Sequence, residues 1–142
     1  MIERVVFDTS TLIGAALKVG SKPHRAFMLA LEHCALCASQ QMIQELAEVL
    51  NRSYFARRLS QSDRDGFFEV VRENLETFPV SETAILSLDP PCRDVNDNFI
   101  LALALASQAN AIISSDHDLL ALHPWNGIPI LTPAQFIEQF PV

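Results

Sequence analysis

At 142 residues, 49% of them apolar and few of them glycine or proline, the chain fits a single domain, 1–142, with one substantial core, and it is neither disordered nor fibrous. No apolar run approaches the ~18 residues that cross a bilayer, and the opening MIERVVFD lacks a cleavable signal pattern, so a cytoplasmic protein with no membrane partner is expected. A net charge of −7 argues against a basic surface that coats nucleic acid, and three cysteines form no disulfide framework.

Strand and helix signals alternate along the chain, which predicts an α/β fold around a parallel sheet. A buried strand covers about Ile2 to Phe7 and hands over at Asp8 to a helix from Ser10. A second helix runs from Pro23, at a first helical position, through Leu31. "CALCAS" reads as the second strand, whose period of two sends Cys34 and Cys37 to opposite faces, which favours core packing over redox or zinc use. Ile43, Leu46, Ala47 and Leu50 then recur at helical spacing over Gln40 to Leu50. Arg52 to Ser62 is polar and basic. Ser62 with Asp65 predicts an N-cap for a helix reaching about Glu76.

"FPV" predicts a short strand, and Ser81 to Asn96, with Pro90-Pro91, an irregular stretch. Asn98 to Gln108 is a clean apolar helix, buried on most sides. "AIISS" is a strand whose end at Asp116 repeats the handover at Asp8, and "IPIL" is the last strand. Thr132, Pro133 and Gln135 predict a capping box that opens the final helix.

The charges are unevenly spread. All ten Lys and Arg lie at or before Arg93, with twelve acids, whereas five acids and no Lys or Arg follow from Asp94 onward. Asp8 and Asp116 each end an apolar strand, and two central parallel strands would deliver both carboxylates to one edge. Glu45 adjoins the buried stripe of its helix, Asp97 opens the apolar helix, and Asp94 and Asp118 lie nearby. Each acid alone is as well explained by helix capping or a turn. Jointly they are not, because carboxylates about 4 Å apart repel by ~4 kcal/mol per pair at an effective dielectric near 20. Such a set needs a cation or retained protons. All-oxygen ligands favour Mg²⁺ or Mn²⁺ over zinc, and these ions suit phosphodiester hydrolysis. Ser10 is placed to hydrogen-bond a water or a phosphate there.

"VVFDTSTLIGA" resembles the opening signature of PIN-domain nucleases, and the resemblance continues in order through Glu45 in "IQELAEVL", Asp97 in "RDVNDNFILALALA", "AIISSDHDLLAL" and the closing "GIPILTPAQFIE". It implies a three-layer α/β/α sandwich and a Mg²⁺- or Mn²⁺-dependent ribonuclease acting on RNA. Asp8, Glu45, Asp97 and Asp116 would be its catalytic and metal-binding acids, with Ser10, Asp94 and Asp118 in support. Many small bacterial members are toxins of toxin–antitoxin pairs (VapC-like), which implies a cognate antitoxin and a homodimer. Asn96 and Asn98 stand where related sequences often carry further acids. Arg52, Arg57, Arg58 and Arg64, beside Tyr54 and Phe55, form a candidate substrate-binding strip, equally readable as a solvated surface or an antitoxin-binding face. The four histidines are scattered, and His117 is placed on an exposed turn.

Three other readings fail on single residues. A D-x-S-x-S adhesion loop is broken at Leu12, a D-x-D phosphatase at Ser10, and a receiver domain lacks its late lysine. The remaining alternative is a catalytically silent PIN-fold module that binds RNA or protein.

Overall fold

The computed structural model describes residues 2–140. At its centre β1 (Arg4–Phe7), β2 (Ala35–Ala38), β3 (Leu75–Thr77), β4 (Ala111–Ile113) and β5 (Ile130–Leu131) form a wholly parallel sheet in the order β3-β2-β1-β4-β5. Val5, Val6 and Phe7 of β1 and all three residues of β4 are buried without alternation, as central parallel strands covered on both faces must be.

The helices are α1 (Thr9–Leu17), α2 (Lys22–His33), α3 (Gln40–Leu50), α4 (Ser53–Ala56), α5 (Gln61–Asn74), α6 (Glu82–Leu86), α7 (Asn98–Ser107), α8 (His117–Leu120) and α9 (Pro133–Ile137). Right-handed crossovers put α1 to α5 on one face and α6 to α8 on the other, which gives the expected three-layer sandwich; α9 returns to pack on α2. Phe7 meets Phe27 and Phe136 edge-on at 6.4 and 6.1 Å, so the first strand is tied to α2 and α9.

The topology locates the site. From β1 the chain steps to β2 and β3 in one direction, then crosses back to lay β4 on the other side of β1. Strand order therefore reverses between β1 and β4, and the crevice at their carboxyl ends is where open α/β sheets take ligands. Phe7 pairs with Ile113, and the Asp8 amide donates to the Ile113 carbonyl at 3.1 Å, so Asp8 and the residues after Ile113 emerge side by side.

Hydroxyl caps open most helices. Ser21, Ser39, Ser60, Ser81 and Thr132 each accept from a backbone amide three residues on, and Thr132 with Gln135 completes the predicted capping box.

The structure corrects four local expectations. The cap of α5 is Ser60, not Ser62: two S-x-x-D patterns overlap here, and the earlier serine has the extended backbone that a cap needs. That helix stops at Asn74 rather than Glu76, because Leu75–Thr77 pairs with β2 as β3, and "FPV" lies beyond this strand. Sheet pairing overrides helix propensity there. The stretch expected to be irregular contains α6 and a 3₁₀ turn at Val95–Asp97.

Arg64 is the fourth correction. It is 8% exposed and does not belong to a surface strip. Its guanidinium donates to the Leu50 and Leu59 carbonyls, to Asn51 Oδ1 and to Gln61 Oε1, closing the carboxyl end of α3 against α5. Cys34 precedes β2 and Cys37 is buried within it, both as free thiols, in keeping with a packing role.

Candidate functional site

Asp8 leaves β1 with extended backbone and becomes the N-cap of α1. It is 3% exposed, and its carboxylate is fully engaged. Oδ1 accepts from the Thr11 amide at 2.8 Å and from Ser10 Oγ at 3.2 Å, while Oδ2 accepts a short bond from Ser114 Oγ. Asp8 thus caps α1 at the mouth of the crevice.

Ser114 carries no signal of its own in the sequence. It is fully buried just past β4, donates through Oγ to Asp8 and accepts at the same atom from the Asp116 amide at 2.9 Å. One hydroxyl thus links the two strand-end acids. The nearest clue is the Ser pair before Asp116, which "AIISS" absorbs into a strand that in fact ends at Ile113.

Asp116 caps α8 and accepts from the Asp118 amide at 2.9 Å. Opposite it stands the loop that carries Asp94 and Asp97. This loop is anchored at two places: Trp125 Nε1 donates to the Pro90 carbonyl at 2.7 Å, and the Cys92 amide donates to Asn98 Oδ1 at 2.7 Å. Asp94 caps the 3₁₀ turn by accepting from the Asn96 amide at 3.0 Å. Asp97 stands at the N-cap of α7 but makes no capping bond, and its Oδ2 is buried without any hydrogen-bond partner.

One carboxylate oxygen each from Asp94, Asp97 and Asp116 lies within 4.8 Å of the others. Of the four principal acids, then, Asp97 and Asp116 converge directly, and Asp94 joins them. Asp8 stands next to this group through Ser114, and its charge is felt at both Asp97 and Glu45. The Asp97 carboxyl is pushed up to about 7, first by burial, then by the neighbouring Asp116 carboxyl, then by the charges of Asp94 and Asp8. Glu45 is half-buried across the way. Its pKa is raised by burial, pulled back by Arg52, and raised again by Glu48 and Asp8.

Asp97 and Glu45 share a groove of about 580 Å³, with Gln41, Gln44 and Glu48 along its α3 wall and Ile85, Val95, Asn96 and Phe99 opposite. The buried, unpartnered Asp97 oxygen and the all-oxygen donor set fit a hard divalent cation. Asp118 lies one turn position beyond, contributing its amide to Asp116. Arg52, Arg57 and Arg58 are exposed, outside the acid cluster, and His117 is exposed at the start of α8.

A family model described as PIN domain matches residues 4–118, which contain every acid of the site. In structure the chain is similar to PAE2754 from Pyrobaculum aerophilum, with a TM-score of 0.63 at 16% identity over 96% of this chain and 88% of that one. It is also similar to VapBC2 from Rickettsia felis, solved bound to a DNA fragment from its promoter, with a TM-score of 0.65 at 12% identity over 91% of this chain and 98% of that one. No curated protein matches it in sequence.

Proposed function

The chain belongs to the PIN-domain family, and from that premise we propose that it is a Mg²⁺- or Mn²⁺-dependent endoribonuclease that hydrolyses RNA phosphodiester bonds and leaves 5′-phosphate ends. The observation that carries this reading is the convergence of Asp94, Asp97 and Asp116 beside Asp8, with one Asp97 oxygen buried and unpartnered. Asp94, Asp97 and Asp116 are the residues that would hold the ion, with Asp8 alongside. When bound, such an ion neutralises charge on the phosphate and makes a water nucleophilic near neutral pH.

The chain's own groups do the rest. Thr11, Ser10 and Ser114 fix the Asp8 carboxylate in one orientation, so no reorganisation is needed when substrate arrives. Ser114 holds Asp116 in register with Asp8 through its backbone amide. Burial and the neighbouring acids hold the Asp97 carboxyl near 7, and positive charge arriving there favours its ionised form. Glu45 faces the groove with a raised pKa, which suits it to take a proton from the attacking water.

The same reading makes the protein the cytoplasmic toxin of a toxin–antitoxin pair, acting as a homodimer and held by a cognate antitoxin. Its support is the likeness in fold to VapBC2, which covers 91% of this chain.

Incubation of the purified protein with single-stranded RNA in Mn²⁺, against excess EDTA and against Asp97→Asn, tests the proposal. Cleavage that needs Mn²⁺ and Asp97 is the expected result. Undiminished cleavage in EDTA removes the metal from the reading, and RNA binding without cleavage in any divalent ion makes the protein a silent PIN-fold module.

A further inference from the structure

We infer that the tight turn from Trp125 to Ile128 positions the metal-binding loop: by gripping the Asp89 and Pro90 carbonyls it holds Asp94 and Asp97 against Asp116, and so sets the affinity of the site for its divalent ion. The inference rests on the metal-binding part of the proposed function and gives that site two positioning residues, Trp125 and Asn126.

The sequence dictates the turn. In "WNGI" the central Asn-Gly pair is a strong local signal for a type I′ turn, in which both central residues need φ above zero. Asn126 and Gly127 have φ of 48° and 77°. Trp125 and Ile128 exchange backbone hydrogen bonds of 2.9 and 2.8 Å across them. The Ile130 amide donates to His123 Nδ1 at 2.8 Å, which ties the base of the turn to β5. The turn is thus a closed unit, and it lies in the same β4–β5 connection that carries Asp116.

From this unit two donors reach the loop opposite. The Trp125 indole, 1% exposed, donates through Nε1 to the Pro90 carbonyl at 2.7 Å, and Asn126 Nδ2 donates to the Asp89 carbonyl at 3.2 Å. Among the described residues these are the hydrogen bonds that join residues 89–97 to an element other than α7, which follows them. The remaining bonds are local. The Cys92 amide donates to Asn98 at the start of α7, the Asn96 amide donates to Asp94, and the Asp97 amide donates to the Asp94 carbonyl. Such bonds shape the loop without fixing its distance from Asp116.

That distance has to be held, because the acids oppose it. One oxygen each of Asp94, Asp97 and Asp116 lies within 4.8 Å of the others, and Asp97 Oδ2 is buried without a partner. Like charges so placed push the loop outward, and a cation binds tightly where its ligands are already held together. A neutral indole N–H suits this task, since it donates to the loop backbone without bringing a positive charge that would compete with the ion.

The test is calorimetric titration of Mn²⁺ into the metal-free protein, without RNA. Trp125→Phe keeps the ring and loses only the donor; it should raise the Mn²⁺ Kd about tenfold, the scale of losing a group behind a metal ligand. Asn126→Gly removes the second donor where glycine accepts the backbone, and should raise Kd by a smaller factor. The Mn²⁺ concentration for half-maximal RNA cleavage should rise in proportion, and saturating Mn²⁺ should restore turnover. Thr132→Ala, which breaks the capping box of α9, should leave Kd unchanged. An unchanged Kd in folded Trp125→Phe overturns the inference and leaves the nuclease reading standing; where Trp125→Phe does not fold, an unchanged Kd in Asn126→Gly does the same. An equal rise in Thr132→Ala also overturns it, since general loosening would then be the cause. A wild type that binds no Mn²⁺ overturns both readings.

Discussion

The two halves of the acid site are built on opposite terms. On the strand side, Asp8 and Asp116 come off β1 and β4, and each accepts hydrogen bonds from the chain around it, with Ser114 serving both. On the loop side, Asp94 caps a 3₁₀ turn, while Asp97 sits at a helix start without capping it and keeps one oxygen buried and unpartnered. Asp8, Asp94 and Asp116 are each engaged by backbone amides, and Asp97 alone of the four keeps a buried oxygen without a partner. Carboxylates that look equivalent in a sequence thus divide into those that stabilise the fold and those that strain it.

The largest expected consequence of this contrast is in turnover. Asp97→Asn should lower Mn²⁺-dependent RNA cleavage at least 100-fold, the scale typical of losing a group that stabilises developing charge. Initial rates against wild type at saturating Mn²⁺ measure it, and a loss below tenfold would mean that the loop half is dispensable.

Next comes the stability of the metal-free protein, where the halves should differ in sign. Asp8→Ala removes a helix cap and should cost about 1–2 kcal/mol in chemical denaturation. Asp97→Asn removes a repelled, poorly solvated charge and should raise the melting temperature or leave it unchanged. The same substitution should shrink the stabilisation that Mn²⁺ gives by binding the folded state. Equal destabilisation by both variants would erase the distinction.

A smaller effect is predicted in pH dependence. The Asp97 carboxyl has a folded-state pKa near 7 against 3.8 for an ordinary aspartate. Between those values the folded chain binds more protons than the unfolded one, so this group's contribution is full below about pH 4 and is lost as pH rises to about 7. Metal-free melting should therefore decline across that window relative to Asp97→Asn. Identical pH profiles for the two proteins would remove Asp97 as the cause.

The smallest effect belongs to Asp118, which serves Asp116 through its backbone amide. Asp118→Asn keeps that amide and should change cleavage by no more than a few-fold, far less than Asp116→Asn, across a Mn²⁺ titration. Equal losses would place the Asp118 carboxylate on the ion.

Asp8 is readable in the sequence because an apolar run that stops at Asp is a local signal, and the pairing of Phe7 with Ile113 sets it beside the end of β4, whereas Asp116 lies two serines beyond a strand that ends at Ile113 rather than at the strand end its sequence suggests. The start of α7 and the capping box at Thr132 are legible for the same reason. Ser114 is hidden because its importance lies in a hydrogen bond to a residue 106 positions away, which no local pattern records. Asp94 reads only as a neighbour of the principal acids, since it takes the folded loop to bring it within reach of Asp116. The end of α5 is misplaced because Leu75–Thr77 is decided by the neighbouring strand β2. Arg64 looks like its exposed neighbours in composition, and only the carbonyls at the end of α3 distinguish it.

The sheet's margins bear on how copies of the protein can meet. Its outer strands, β3 and β5, are three and two residues long. An unpaired strand edge is a template on which another chain can hydrogen-bond and begin to aggregate. Edges this short offer an incoming strand only a few ladder bonds, too few to offset the entropy of ordering it. Self-association of the native protein is thereby steered away from open-ended backbone pairing and toward contacts between helix side chains, which can close on a finite assembly.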